Sequence, residues 1–148
     1  SCNLQRRPRC VASIPRISAL LSRAVARGMP VIYSLPPGPT VTDILLLVKP
    51  LGGEPVVTSN ADKFVGTDLE RILRDLGVRT VIPVGTAAHG AILHTASSAA
   101  LRGLQVVLPV DGSSAESLYI EQYVVFHLAN APTIGGRVTL TRSDLINF

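Results

Sequence analysis

Residues 80–112 read Thr80-Val-Ile-Pro-Val84, Gly85-Thr-Ala-Ala-His-Gly90, Ala91-Ile-Leu-His-Thr-Ala96, Ser97-Ser-Ala-Ala-Leu-Arg102, Gly103-Leu-Gln105-Val-Val-Leu-Pro-Val110, Asp111-Gly112. A short apolar run ends at a glycine, and a helix rich in small residues, predicted over 88–102, closes at Gly103. A second apolar run then ends at an Asp-Gly turn. Strands this apolar fit a parallel sheet whose two faces both carry helices. A strand, a tight turn and a helix N-terminus in succession also put backbone N–H groups where an anion or oxyanion can be held.

The flanking sequence repeats this alternation. Val11 to Gly28 predicts a helix, with Val11, Ile14, Ile17, Leu20, Leu21, Ala24 and Val25 on one stripe and Arg16, Arg23 and Arg27 between them. Pro15 is expected near its first turn, where a missing N–H is harmless. Pro30 to Leu35 reads as a strand, 43–48 as a short helix and 54–58 as a further extended piece. Thr67 is expected to cap a helix reaching Leu76, with Glu70 completing a capping box and Gly77 stopping it. A helix over 114–131, a strand over 137–140 and a turn capped by Thr141 or Ser143 complete the reading. The pattern is α/β: a parallel, Rossmann-like sheet with helices on both faces, in one domain spanning 1–148 with an irregular segment at 1–9. Sites in such sheets lie beyond the carboxyl ends of the strands. That points to Gly85–Gly90, Asp111–Ser114 and the loop after Leu35.

Composition narrows the classes. The chain has 148 residues, 47% hydrophobic and 16% charged, with mean hydropathy +0.37, which excludes intrinsic disorder. Charged residues, Pro or Gly interrupt every apolar run before the roughly 18 residues a membrane span needs. Net charge is +4, yet the basic residues are mostly dispersed and aromatics are few, so nucleic-acid binding is not expected. Cys2 and Cys10 are too few for a disulfide framework or a zinc site, and no apolar leader core opens the chain, so a cytoplasmic setting is expected. High apolar content with few charges predicts that another copy of the chain covers part of the surface.

Three segments carry a resemblance: Asp62-Lys63-Phe64-Val65-Gly66-Thr67-Asp68-Leu69, then Val84-Gly85-Thr86 through Thr95-Ala96, then Gly103 through Asp111-Gly112. Together they resemble the isochorismatase-like cysteine hydrolase superfamily, which includes nicotinamidases and N-carbamoylsarcosine amidases. The resemblance implies an isochorismatase-type parallel sheet, usually oligomeric, and a catalytic Asp, Lys and Cys. It puts the Lys at Lys63 and a cis peptide at Thr86–Ala87, with Thr86, Ala87 and Gly90 forming the oxyanion region, and the nucleophile position at Ala91. The strand and Asp that precede the family's first helix have no counterpart in this chain. His89 and Asp111 are further candidates for the pocket. His94 is expected to pack or cap, His127 to lie in a core or interface, and Asp62 is a candidate partner for Lys63. The Asp-x-His-x-x-His metal motif of nicotinamidases is absent after Leu35, so neither metal nor cofactor is expected.

Three functions follow as expectations. One is a hydrolase of a small amide, ester or enol ether, with an unreactive alanine at the nucleophile position. Another is a pseudoenzyme that binds a small ligand. The last is an oligomeric assembly role with a vestigial pocket.

Overall fold

The computed structural model describes residues 2–148. Helix α1 (Pro8–Ala26) starts earlier than its periodicity predicts, with Pro8 in the first turn and Pro15 in the interior. The reason lies upstream. Cys2 and Cys10 form a disulfide with Cα atoms 5.5 Å apart, and the Asn3 carbonyl accepts the Arg7 N–H at 2.8 Å. The intervening turn therefore folds back on the helix start. This corrects the reading of the two cysteines: eight residues of separation allow one local ring, although they are too few for a framework.

Strand β1 (Tyr33–Leu35) pairs in parallel with β2 (Val56–Thr58). Between them the predicted 43–48 helix is two single 3₁₀ turns, Val41–Asp43 and Leu46–Val48. Helix α2 (Leu69–Asp75) is shorter than predicted. Its capping box does not form: the Thr67 hydroxyl accepts the Leu69 N–H at 3.2 Å, but Glu70 turns away to accept Arg102 Nε at 3.0 Å.

The expected strand over 80–84 shortens to β3 (Thr80–Val81), and a separate strand, β4 (Gly85–Thr86), begins just beyond it. Pro83 cannot donate to a ladder, and Gly85 takes φ +124°. Residues 88–101 are helical as predicted, opening with a π turn, Ala88–Ile92, that continues into α3 (Leu93–Leu101). Then come β5 (Gln105–Pro109), β6 (Ser113–Ser114), α4 (Leu118–Asn130) and β7 (Val138–Thr141). The Ser117 hydroxyl caps α4 by accepting the Ile120 N–H.

Every ladder is parallel. One sheet runs β3-β5-β7, while β1-β2 and β4-β6 form separate pairs. Among the described residues no ladder joins β1 to β3. Val106 and Leu108 of β5 are fully buried and share the main core with Ala96, Ala99 and Ala100 of α3 and with Val124 and Leu128 of α4. The alanines let α3 lie close to the sheet. Helix α1 contacts β4 and β6 instead, and it buries Cys10, Ser13, Ile17, Leu20 and Ala24. Arg9 joins α1 to α4 through a two-point contact with Glu121, whose other strong partner is the Ala115 N–H at 3.0 Å.

Candidate active site at the strand–helix elbow

The elbow after β4 is held from below. The Gly85 N–H donates to Gly112 O at 2.9 Å, and Thr86 Oγ1 donates to Ser114 O at 3.2 Å. Gly112 sits where a Cβ would come within 3.0 Å of Pro109 Cγ and 3.1 Å of Val84 Cγ1, so a side chain there would require these neighbours to shift by a few tenths of an ångström. The Thr86–Ala87 peptide bond is cis. The helix then begins at Ala88, which is fully buried, and Gly90 donates its N–H to Ala87 O at 3.0 Å.

Lys63 reaches this end of the sheet from the loop before α2. It is a buried lysine, 5% exposed, and its ammonium donates to three backbone carbonyls: Leu35 at 3.2 Å, Ser59 at 2.6 Å and Asn60 at 2.7 Å. All three ammonium protons have an acceptor. Burial pulls its pKa below the ordinary lysine range. Lys63 thus binds the carboxyl end of β1 to the loop that carries it. Asp62 is not its partner. The Asp62 carboxylate accepts the Phe64 N–H at 2.9 Å and the Ser98 hydroxyl.

Two helix residues clip this loop to the elbow. Thr95 Oγ1 accepts the Lys63 N–H at 3.1 Å and faces Ala61 O at 3.4 Å, and Ser98 holds Asp62. Thr95 lies four residues after Ala91, one helical turn along the same face. The structure therefore joins the Lys63 loop, Thr86–Ala87 and the helix bearing Ala91. At Ala91 the side chain is a methyl group, which can neither attack nor accept a proton.

The other candidates go elsewhere. His89 is exposed, with Nδ1 3.9 Å from Glu116, which also lies 3.5 Å from Arg7. Asp111 holds the C-terminal turn Ser143–Leu145: its carboxylate accepts the Ser143 N–H and hydroxyl, each at 2.8 Å. Burial raises its pKa, but those bonds and Arg16 outweigh it and hold the carboxyl below its usual range. His94 is exposed rather than packed, and His127 is half-buried with its ring 5.9 Å from that of Tyr123. Sequence reasoning missed Ser98, and it reached Thr95 and Ser114 only as ends of the segments 84–96 and 111–114, with no role assigned to either. Ser114 is 1% exposed and its hydroxyl has no hydrogen-bond partner among the described residues. Nothing in the Asp-Gly-Ser-Ser run distinguishes it. Among those residues no group of three or more His, Cys, Asp or Glu side chains is placed to hold a metal ion.

This fold and elbow are those of a known class. The Isochorismatase domain family matches residues 2–143, and the chain belongs to that family. A curated relative described as a secreted isochorismatase effector, from Verticillium dahliae, is 31% identical over 111 residues. That match takes in 68% of this chain and 58% of the relative, so the chain spans well under two thirds of that protein's length. Among solved structures, an isochorismatase family protein from Desulfovibrio vulgaris superposes with a TM-score of 0.83 at 21% identity, covering 93% of this chain and 84% of the other. An N-carbamoylsarcosine amidase from Thermoplasma acidophilum gives 0.78 at 22%, covering 95% and 88%. At these identities the two structures speak for the fold alone. No helix of the described residues is long and apolar enough to cross a membrane.

Proposed function

We propose that this chain binds a small polar molecule of the amide, ester or enol-ether type at the elbow and does not hydrolyse it by a thiol route. One observation carries the reading. The elbow offers Ala91 where the resemblance puts the family's Cys, while both cysteine sulfurs of the chain are joined at the start of α1. Thr86, Ala87 and Gly90 frame the helix N-terminus, whose N–H groups would receive a carbonyl oxygen or an anion, and Lys63, with its own protons engaged, holds the loop beside them.

Two further points belong to this reading. The disulfide and the secreted relative favour an oxidising compartment over the cytoplasm. The exposed face of α4, with Leu118, Tyr119, Tyr123 and Phe126 between 47% and 78% exposed and no charged side chain among them, suits contact between two copies of a chain that carries net positive charge. Tyr119→Glu with Phe126→Glu is expected to leave only monomer in sedimentation, and an unchanged assembly would remove this face from the account. For the binding reading, the test is thermal stabilisation by a panel of small amides, esters and enol ethers. A ligand at a hundredfold excess over Kd raises stability by about 2.7 kcal/mol. Stabilisation lost in Lys63→Met and retained in a surface variant supports the site, and turnover by the chain as it stands overturns it.

A further inference from the structure

We infer that the chain has a second ligand site, at the amino ends of the strands, for a small apolar anion. A cavity of about 330 Å³ opens between α2, the start of β3 and the start of β5. Because the strands are parallel, this end lies opposite the elbow, so the site is independent of the function proposed above. The floor is apolar: Phe64 and Leu73 are buried at 6% each, and Val78 and Leu104 are half-buried against the same core.

The walls are basic. Arg102 is already engaged, with its guanidinium 4.4 Å over the Phe64 ring, Nε on Glu70 at 3.0 Å and Nη1 on Ser98 O at 3.2 Å. Glu70 is the single carboxylate in the lining, and Arg102 neutralises it. Arg74 and Arg79 complete the wall, and neither has a side-chain hydrogen bond or ion pair among the described residues. Arg71 holds both Asp68 at 2.7 Å and Asp75 at 3.4 Å, so neither aspartate pairs with Arg74 or Arg79, and the four arginines exceed the three carboxylates by one positive charge. The Arg79 backbone is fixed, its carbonyl accepting the Gln105 N–H at 2.9 Å. An apolar floor of this size beneath two uncommitted guanidinium groups fits a ring-sized apolar body bearing one carboxylate or phosphate, which arginine binds with paired N–H donors.

The probe is 2-naphthoate, titrated into ¹⁵N-labelled protein, with 2-naphthamide as the uncharged control of the same shape. Saturable shifts are expected at Gly77, Val78, Arg79 and Leu104 and not at Ala88–Ala91. Arg74→Gln with Arg79→Gln is expected to weaken binding at least about tenfold, as is replacing the acid by the amide. These substitutions are at exposed side chains, and an unchanged melting temperature confirms that the variant is folded. Shifts confined to the elbow, equal affinity for the amide, equal affinity in the double variant, or no saturable shift up to the solubility limit would each overturn the inference.

Discussion

Lys63 shows how one buried side chain can tie a loop to the end of a strand. Its ammonium satisfies three carbonyls in a place where water is largely excluded. Lys63→Met removes those donors, and the loss is expected to lower stability by about 1–3 kcal/mol in chemical denaturation. The pH dependence follows from the direction of the shift. Burial holds the folded pKa below its unfolded value, so the unfolded chain binds more protons between the two. Stability of the wild type relative to Lys63→Met therefore rises as pH is raised through the lowered folded pKa toward the ordinary lysine range, and a flat difference would show that the amine is solvated. Asp111 gives a slope of the same sign, in the acid range. Its folded pKa is depressed despite burial, because Ser143 and Arg16 outweigh the desolvation. The stability it adds is present above the ordinary carboxylate range and is lost as pH falls through the folded value. Asp111→Asn should flatten that acid limb, which urea melts at successive pH values will read.

At the scale of elements, the start of α1 and the elbow behave differently. Cys10→Ser opens the Cys2–Cys10 ring and is expected to cost about 2–3 kcal/mol, from the loop-closure entropy of a ring this size. Reducing the wild type should reproduce most of that loss, and no change on reduction would mean that the ring does not restrain the helix start. Thr95→Val cuts the clip between α3 and the Lys63 loop, and faster amide exchange at Lys63 and Phe64 is its expected signature. The elements themselves were largely legible from residues: Gly77, Gly103 and the apolar runs at 80–84 and 105–110 announce a parallel α/β fold. What could not be read depends on distant partners. Glu70 leaves its own helix end for Arg102, an exchange no local pattern encodes. The early end of the 80–84 strand follows from Pro83, whose effect was readable but was outweighed by the apolar run. In the site, Lys63 and the Thr86–Ala87 region were marked by their motif, whereas Thr95, Ser98 and Ser114 are ordinary hydroxyl residues whose roles arise only when α3 meets the loop and β6 meets β4.

For the whole molecule, the two ends of the strands divide the chemistry. The carboxyl ends carry the elbow, Lys63 and the buried Ser114 hydroxyl, while the amino ends carry a basic cavity over an apolar floor. The family's scaffold is kept, and the proposed function turns on the methyl group of Ala91 at the elbow. The most direct measurement of that claim incubates the protein with a panel of small amides, esters and enol ethers, separates bound from free by ultrafiltration, and quantifies each compound by mass spectrometry. The account predicts at least one compound retained by the wild type and not by Lys63→Met, with none converted. Conversion that scales with protein concentration would contradict it.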